Sequence, residues 1–96
     1  MIKVVRVGVG LKKQLRKRQL PSFIVVKLQD WVEDVEDRGI EEVRKIPGYH
    51  DEPLNGALAG SRSIRLGNGW RAYYRIEKDQ IEFVLVERVD KHEYGK

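Results

Sequence analysis

Between Arg62 and Arg75 the chain carries four arginines, at 62, 65, 71 and 75, with Trp70, Tyr73 and Tyr74 among them. No acidic residue occurs anywhere from Pro53 to Ile76. Guanidinium groups held this close repel one another, and a polyanion relieves the repulsion. Arginine also grips phosphate well, because its planar fork donates two parallel hydrogen bonds. Acids and histidines lie to either side: His50 and Glu52 before the block, Asp90 and His92 after it. Cutting RNA without a metal takes three groups. A base removes the 2′-OH proton, a cation stabilises charge building on the phosphorane, and an acid protonates the departing 5′ oxygen. Carboxylate, guanidinium and imidazole supply these functions, and the chain has all three types around one segment. The block points to a protein that meets nucleic acid and cuts it.

The elements that must position these groups follow from apolar spacing. Ile2 to Val7 is β-branched and reads as a strand ended by Gly8 and Gly10. Leu11 to Arg18 reads as a short helix with Leu11 and Leu15 inward and its basic residues outward. Pro21 suits the first turn of a second helix, whose stripe is Ile24, Leu28, Trp31, Val32 and Val35, with Gly39 as its stop. Ile40, Val43 and Ile46 predict a further short helical turn before Pro47, and residues 48–60 read as a loop. Arg62–Leu66 and Trp70–Ile76 are strands joined by the tight-turn sequence Gly67-Asn68-Gly69, and Ile81–Val89 is a third. The expected order is β-α-α-β-β-β, a two-layer α+β fold with helices on one face of a mostly antiparallel sheet. Strand alternation puts Trp70, Ala72, Tyr74 and Ile76 under the helices and Arg71, Tyr73 and Arg75 on the open face. Arginines and a tyrosine there suit phosphates and bases. Pairing of these arginines with the acids of Asp30–Asp51 is the alternative.

Composition bounds the rest. Ninety-six residues are expected to make one domain, 1–96, with a modest core and no room for a cofactor domain. No cysteine is present, and the two histidines are far apart, so neither a thiolate nor a histidine-rich metal site is expected, and no cofactor. No apolar run approaches the roughly 20 residues that span a bilayer, and no signal-peptide pattern opens the chain, so a cytoplasmic protein is expected. The net charge of +4 is divided into blocks. Residues 1–29 and 53–75 carry basic groups and no acids, whereas residues 30–52 carry nine acids against three bases. A basic face opposite an acidic one follows, although the Lys12–Arg18 run taken alone also suits a solvated helix.

The sequence Glu52-Pro53-Leu54, then Gly60, Arg65-Leu66, Arg71 and Tyr74, and the ending Val89-Asp90-Lys91-His92-Glu93-Tyr94, resembles the RelE/ParE superfamily of bacterial type II toxins. It looks closest to the RelE, YoeB and HigB branches. The resemblance spans nearly the whole chain and includes the element order. It implies a metal-independent endoribonuclease that cleaves translated mRNA in the A site of the small ribosomal subunit and is silenced by a cognate antitoxin. Carried over residue by residue, it makes Glu52 the general base, Arg71 the transition-state cation and His92 the general acid. Arg65 would bind phosphate, with Arg62 and Tyr73 as further substrate contacts. Tyr94 would stack on a base or orient the scissile phosphate, and Asp90 and Lys91 would flank the histidine. Lys12, Lys13, Arg16, Lys17 and Arg18 would contact rRNA. Two departures are visible. Asn55 and Ala57 stand where the RelE branch has lysines, which favours the histidine–glutamate version. Glu93 separates His92 from Tyr94, which are adjacent in YoeB-like chains. His50 is a further proton-transfer candidate or a loop histidine. Two other functions fit the same fold: a ParE-like gyrase inhibitor, which needs no acid–base pair, and a non-enzymatic protein that only binds its antitoxin within a hetero-oligomer.

Overall fold

In the computed structural model, which describes residues 1–91, three helices pack on one face of a five-stranded sheet. The strands are β1 (Val5–Val7), β2 (Glu52–Pro53), β3 (Arg62–Gly67), β4 (Trp70–Lys78) and β5 (Glu82–Lys91). The helices are α1 (Val9–Arg16), α2 (Ser22–Arg38) and α3 (Ile40–Val43). The sheet order is β1-β5-β4-β3-β2, antiparallel except that β1 runs parallel to β5. The α+β architecture and the β3-β4-β5 meander agree with the reading above.

The core lies between α2 and the sheet. Ile24, Leu28, Trp31 and Val35 recur at helical spacing and are buried against Ile64, Ala72, Tyr74 and Val84. The Trp31 and Tyr74 rings stand 5.2 Å apart and tilted, a favourable aromatic geometry. Helix α2 stops at Gly39, whose φ of +89° is one that a side chain would resist. The β3–β4 turn has Asn68 and Gly69 both at positive φ, the type I′ geometry whose twist matches the strands it joins.

Three details correct the sequence reading. Leu15 is not inward but partly exposed, because α1 is short and seats on the sheet through Leu11 and Gln14. The Gln14 amide nitrogen donates to the Val89 carbonyl at 2.6 Å, and its carbonyl oxygen accepts the Val89 N–H at 2.9 Å. One side chain thus satisfies the β5 edge beyond the end of β1. Segment 48–60 is not all loop. Glu52 and Pro53 pair with Ser63 and Arg62 and add a fifth strand, and short 3₁₀ turns stand at Pro47–Tyr49 and Gly56–Leu58. The first strand is also shorter than expected, beginning at Val5.

Candidate active site on the open sheet face

The sheet face away from the helices is defined by register, since residues directly opposite each other share a face. Arg71 lies opposite Arg65 and Asp90, Tyr73 opposite Ser63 and Arg88, and Ser63 opposite Glu52. Arg71 is only 9% exposed although it is on the open side, because polar neighbours wrap its guanidinium. Its Nη2 donates to Glu52 Oε1 at 3.0 Å, to Ser63 Oγ at 2.7 Å and, at 3.5 Å, to the His50 carbonyl; its Nε donates to Ser63 Oγ at 3.1 Å. Glu52 is half-exposed, and its second oxygen is 3.6 Å from His50 Nε2. The fold therefore joins Glu52 to Arg71, and adds His50 beside them. His50 takes a left-handed backbone, φ +47°, which ends the preceding turn and sends the next residues into β2.

Beneath this row lies a second, buried one. Asp51 has 1% of its side chain exposed, and it accepts from Arg62 Nε at 2.6 Å and from the Tyr74 hydroxyl at 2.5 Å. Arg44 Nε donates to the same hydroxyl at 3.2 Å. Burial first, and then the Asp51 hydrogen bond, hold the Tyr74 phenol well above its ordinary range. Burial lowers the Arg62 pKa, and its bond to the Asp51 carboxylate outweighs that, so the net shift is upward. Asp51 thereby anchors the segment that carries His50 and Glu52.

The expected site residues fall into several groups. Glu52 and Arg71 are in contact. Arg65 and Tyr73 share their face, Arg65 exposed and Tyr73 partly so, with the Arg88 guanidinium 4.7 Å over the Tyr73 ring. Arg62 is elsewhere: it lies opposite Tyr74, on the helix side, committed to Asp51. Its expected substrate contact is at odds with that placement, because strand alternation sets it with Ile64 and Leu66 rather than with Arg65. His92 and Tyr94 lie outside the described residues. Lys12, Lys13, Arg16, Lys17 and Arg18 are all exposed on and just after α1. Asp90 is opposite Arg71 but pairs with Arg88 at 3.0 Å.

Two participants escaped the sequence reading. Ser63 has a signal, being a small polar residue at an open-face position two before Arg65. Asp51 has only the general one of an acid near the arginine block, since its particular partners, Arg62 on β3 and Tyr74 on β4, emerge only with the sheet. No group of three or more histidine or acidic side chains among the described residues is arranged to hold a metal.

No protein-family model matches the chain, and no curated protein matches its sequence. Solved structures do match. A YoeB/ParE toxin from Agrobacterium tumefaciens superposes with a TM-score of 0.67 at 18% identity, over 94% of this chain and 99% of that one. The RelBE2 toxin–antitoxin complex of Mycobacterium tuberculosis matches at 0.65 and 26% identity, over 96% and 100%. The DinJ–YafQ toxin–antitoxin complex of E. coli matches at 0.66 and 19%, over 96% and 94%. These likenesses define a class: the chain has the fold of the RelE/YoeB/YafQ toxins. The resemblance drawn from sequence motifs thus holds for the fold along nearly the whole chain.

Proposed function

We propose that this chain is the toxin of a type II toxin–antitoxin system, a metal-independent endoribonuclease that cleaves translated mRNA on the ribosome in the cytoplasm. The observation that supports it most is the Glu52–Arg71 pair, half-open to solvent on a face lined by arginine and tyrosine. In the resting protein the Arg71 guanidinium is paired with the Glu52 carboxylate at 3.0 Å. A scissile phosphate competes for the guanidinium. As Arg71 turns to the phosphate, a Glu52 oxygen is freed to accept from the 2′-OH. It takes the 2′-OH proton, the 2′ oxygen attacks phosphorus, and the P–O5′ bond breaks to leave a 2′,3′-cyclic phosphate. Arg71 carries the charge that builds on the phosphoryl oxygens, with Ser63 holding its other edge. Arg65 binds a neighbouring phosphate. His92, by its resemblance to the C-terminal histidine of these toxins, protonates the leaving oxygen, and Tyr94, by the same resemblance, stacks on a base or orients the scissile phosphate.

The exposed basic run on α1 would meet rRNA, giving affinity without sequence choice. A cognate antitoxin is the expected protein partner, as in the RelBE2 and DinJ–YafQ complexes. The test is induction in a bacterial host without antitoxin, with mRNA 5′ ends mapped beside Arg71→Ala and His92→Ala. New cuts within translated frames, absent in both variants, are expected. Growth arrest with intact mRNA would replace this reading with gyrase inhibition, and absence of arrest with a binding-only protein.

A further inference from the structure

The register between β4 and β5 slips by one residue. Tyr73 faces Arg88, but Tyr74 faces Val86, which leaves Glu87 as a bulge. A bulge costs ladder hydrogen bonds and often re-aims a side chain beside a functional site. This one is buttressed. The Gly8 N–H donates to the Val86 carbonyl at 2.8 Å, and a Cβ on Gly10 would lie 3.1 Å from the Glu87 carbonyl oxygen, so the start of α1 rests directly on it. The result is a cavity of about 120 Å³ lined by Leu58, Ser61, Tyr73, Glu87 and Arg88. Tyr73 and Arg71 are two residues apart on β4 and share a face, which is roughly 7 Å along the strand. The cavity is therefore within one nucleotide's reach of the Glu52–Arg71 pair.

We infer that this cavity is a nucleobase subsite selective for guanine, with the Glu87 carboxylate as the reading group. The inference rests on the ribonuclease reading for its substrate, though its binding chemistry stands separately. The Tyr73 ring, backed by the Arg88 guanidinium at 4.7 Å, is a surface for stacking any base. The discrimination comes from the edge. Glu87 Oε1 is engaged by Arg75 Nη1 at 3.1 Å and Oε2 by Ser61 Oγ at 3.4 Å, which fixes the carboxylate and fills about half of its acceptor sites. The remaining lone pairs suit two neighbouring donors. Guanine offers N1–H and N2–H side by side. Adenine and cytosine place a ring-nitrogen acceptor beside their amino group, and uracil flanks one N–H with two carbonyls. Each of those sets a lone pair against a carboxylate oxygen.

Binding tests this apart from catalysis. The purified full chain is titrated with 3′-GMP, 3′-AMP, 3′-CMP and 3′-UMP while backbone amide shifts are followed by NMR. We expect 3′-GMP to bind roughly tenfold or more tighter than the others, the discrimination a bidentate pair gives. The shifts should centre on Ser61, Tyr73 and Glu87. Glu87→Gln should equalise the four nucleotides, and Tyr73→Leu should weaken all of them together. Equal binding in the native chain, shifts confined to α1, or a guanine preference that survives Glu87→Gln would overturn the assignment. A guanine preference in a protein that cuts no RNA would keep the subsite and remove the ribonuclease reading. RNA cleavage with no base preference would do the reverse.

Discussion

Arg71 is held by Glu52 on one side and Ser63 on the other, and in the proposed reaction only the first contact is exchanged for substrate. The two neighbours therefore predict different kinetics. Arg71→Ala should lower cleavage by roughly 10²–10³-fold, as loss of a charge-stabilising donor does elsewhere. Ser63→Ala should lower kcat by about tenfold with little change in KM, because the guanidinium still meets phosphate but is less well aimed. Equal effects of Ser63→Ala on kcat and KM would contradict the aiming role. Asp51 acts one layer below and is absent from this ledger, since its work is to fix the β2 segment. Alkaline pH gives a separate test at this scale. Burial first, then the Asp51 bond, raises the Tyr74 pKa, and burial, then Asp34, does so for Tyr49. The folded chain keeps protons that the unfolded chain releases above about pH 10. The stability these groups contribute is complete below that pH and is lost as pH rises toward the folded values. Urea midpoints should hold steady up to about pH 9 and fall above about pH 10, less steeply in Tyr49→Phe. An unchanged slope in that variant would assign the fall to other groups.

The elements differ in how openly the sequence announces them. The β3–β4 hairpin is legible because Asn68-Gly69 supplies the two positive φ angles its turn requires. Gly69→Ala should cost about 1 kcal/mol or more in chemical denaturation, by forcing a side chain into that region. Helix α2 is legible because its apolar stripe recurs with the helical period. Strand β2 is not, since two residues, one of them proline, show no alternation, and they become a strand only when β3 offers its edge. This matters for the proposed function, because β2 carries Glu52. Helix α1 is half legible. Leu11 and Leu15 lie four apart and suggest one inward face, but Gln14 and not Leu15 makes the polar contact with the sheet. Gln14→Leu should leave the Val89 N–H and C=O without protein partners and cost about 2 kcal/mol. A thermal melt equal to that of the native chain would mean that water replaces the amide.

Across the whole molecule charge is sorted by side. The second half of α2 exposes Glu33, Glu36 and Asp37, although Lys27 and Arg38 of the same helix are exposed too, whereas α1 exposes only cations among its charged residues and the open sheet face exposes Arg65. The charge blocks read from the sequence anticipate this division. Pairing of the arginines with the acids of Asp30–Asp51, the alternative drawn from the sequence, holds at Arg62, which meets Asp51; beyond that range Arg71 is matched by Glu52 and Arg75 by Glu77 and Glu87. Repulsion among the arginines is thus largely relieved within the fold, and Arg65 with the α1 run carries more of the long-range attraction. Neutralising Lys12, Lys13 and Arg16 together should flatten the salt dependence of ribosome binding by roughly two to three units of log–log slope. A slope unchanged by that variant would place the nucleic-acid contacts elsewhere.

The parallel pairing of β1 with β5 sets Val5 opposite Val84, so the first strand made has no partner until the last strand has been made. A nascent chain that has exposed only its β3–β4 hairpin has Glu52 and Arg71 in sequence, yet lacks the strand on which the α1 buttress and the Glu87 bulge depend. Because such distant pairings form late, the assembled face should first exist only once β5 has been made and has met β1. A partly made chain would then hold the residues of the site without the site itself, through the order of its strands alone.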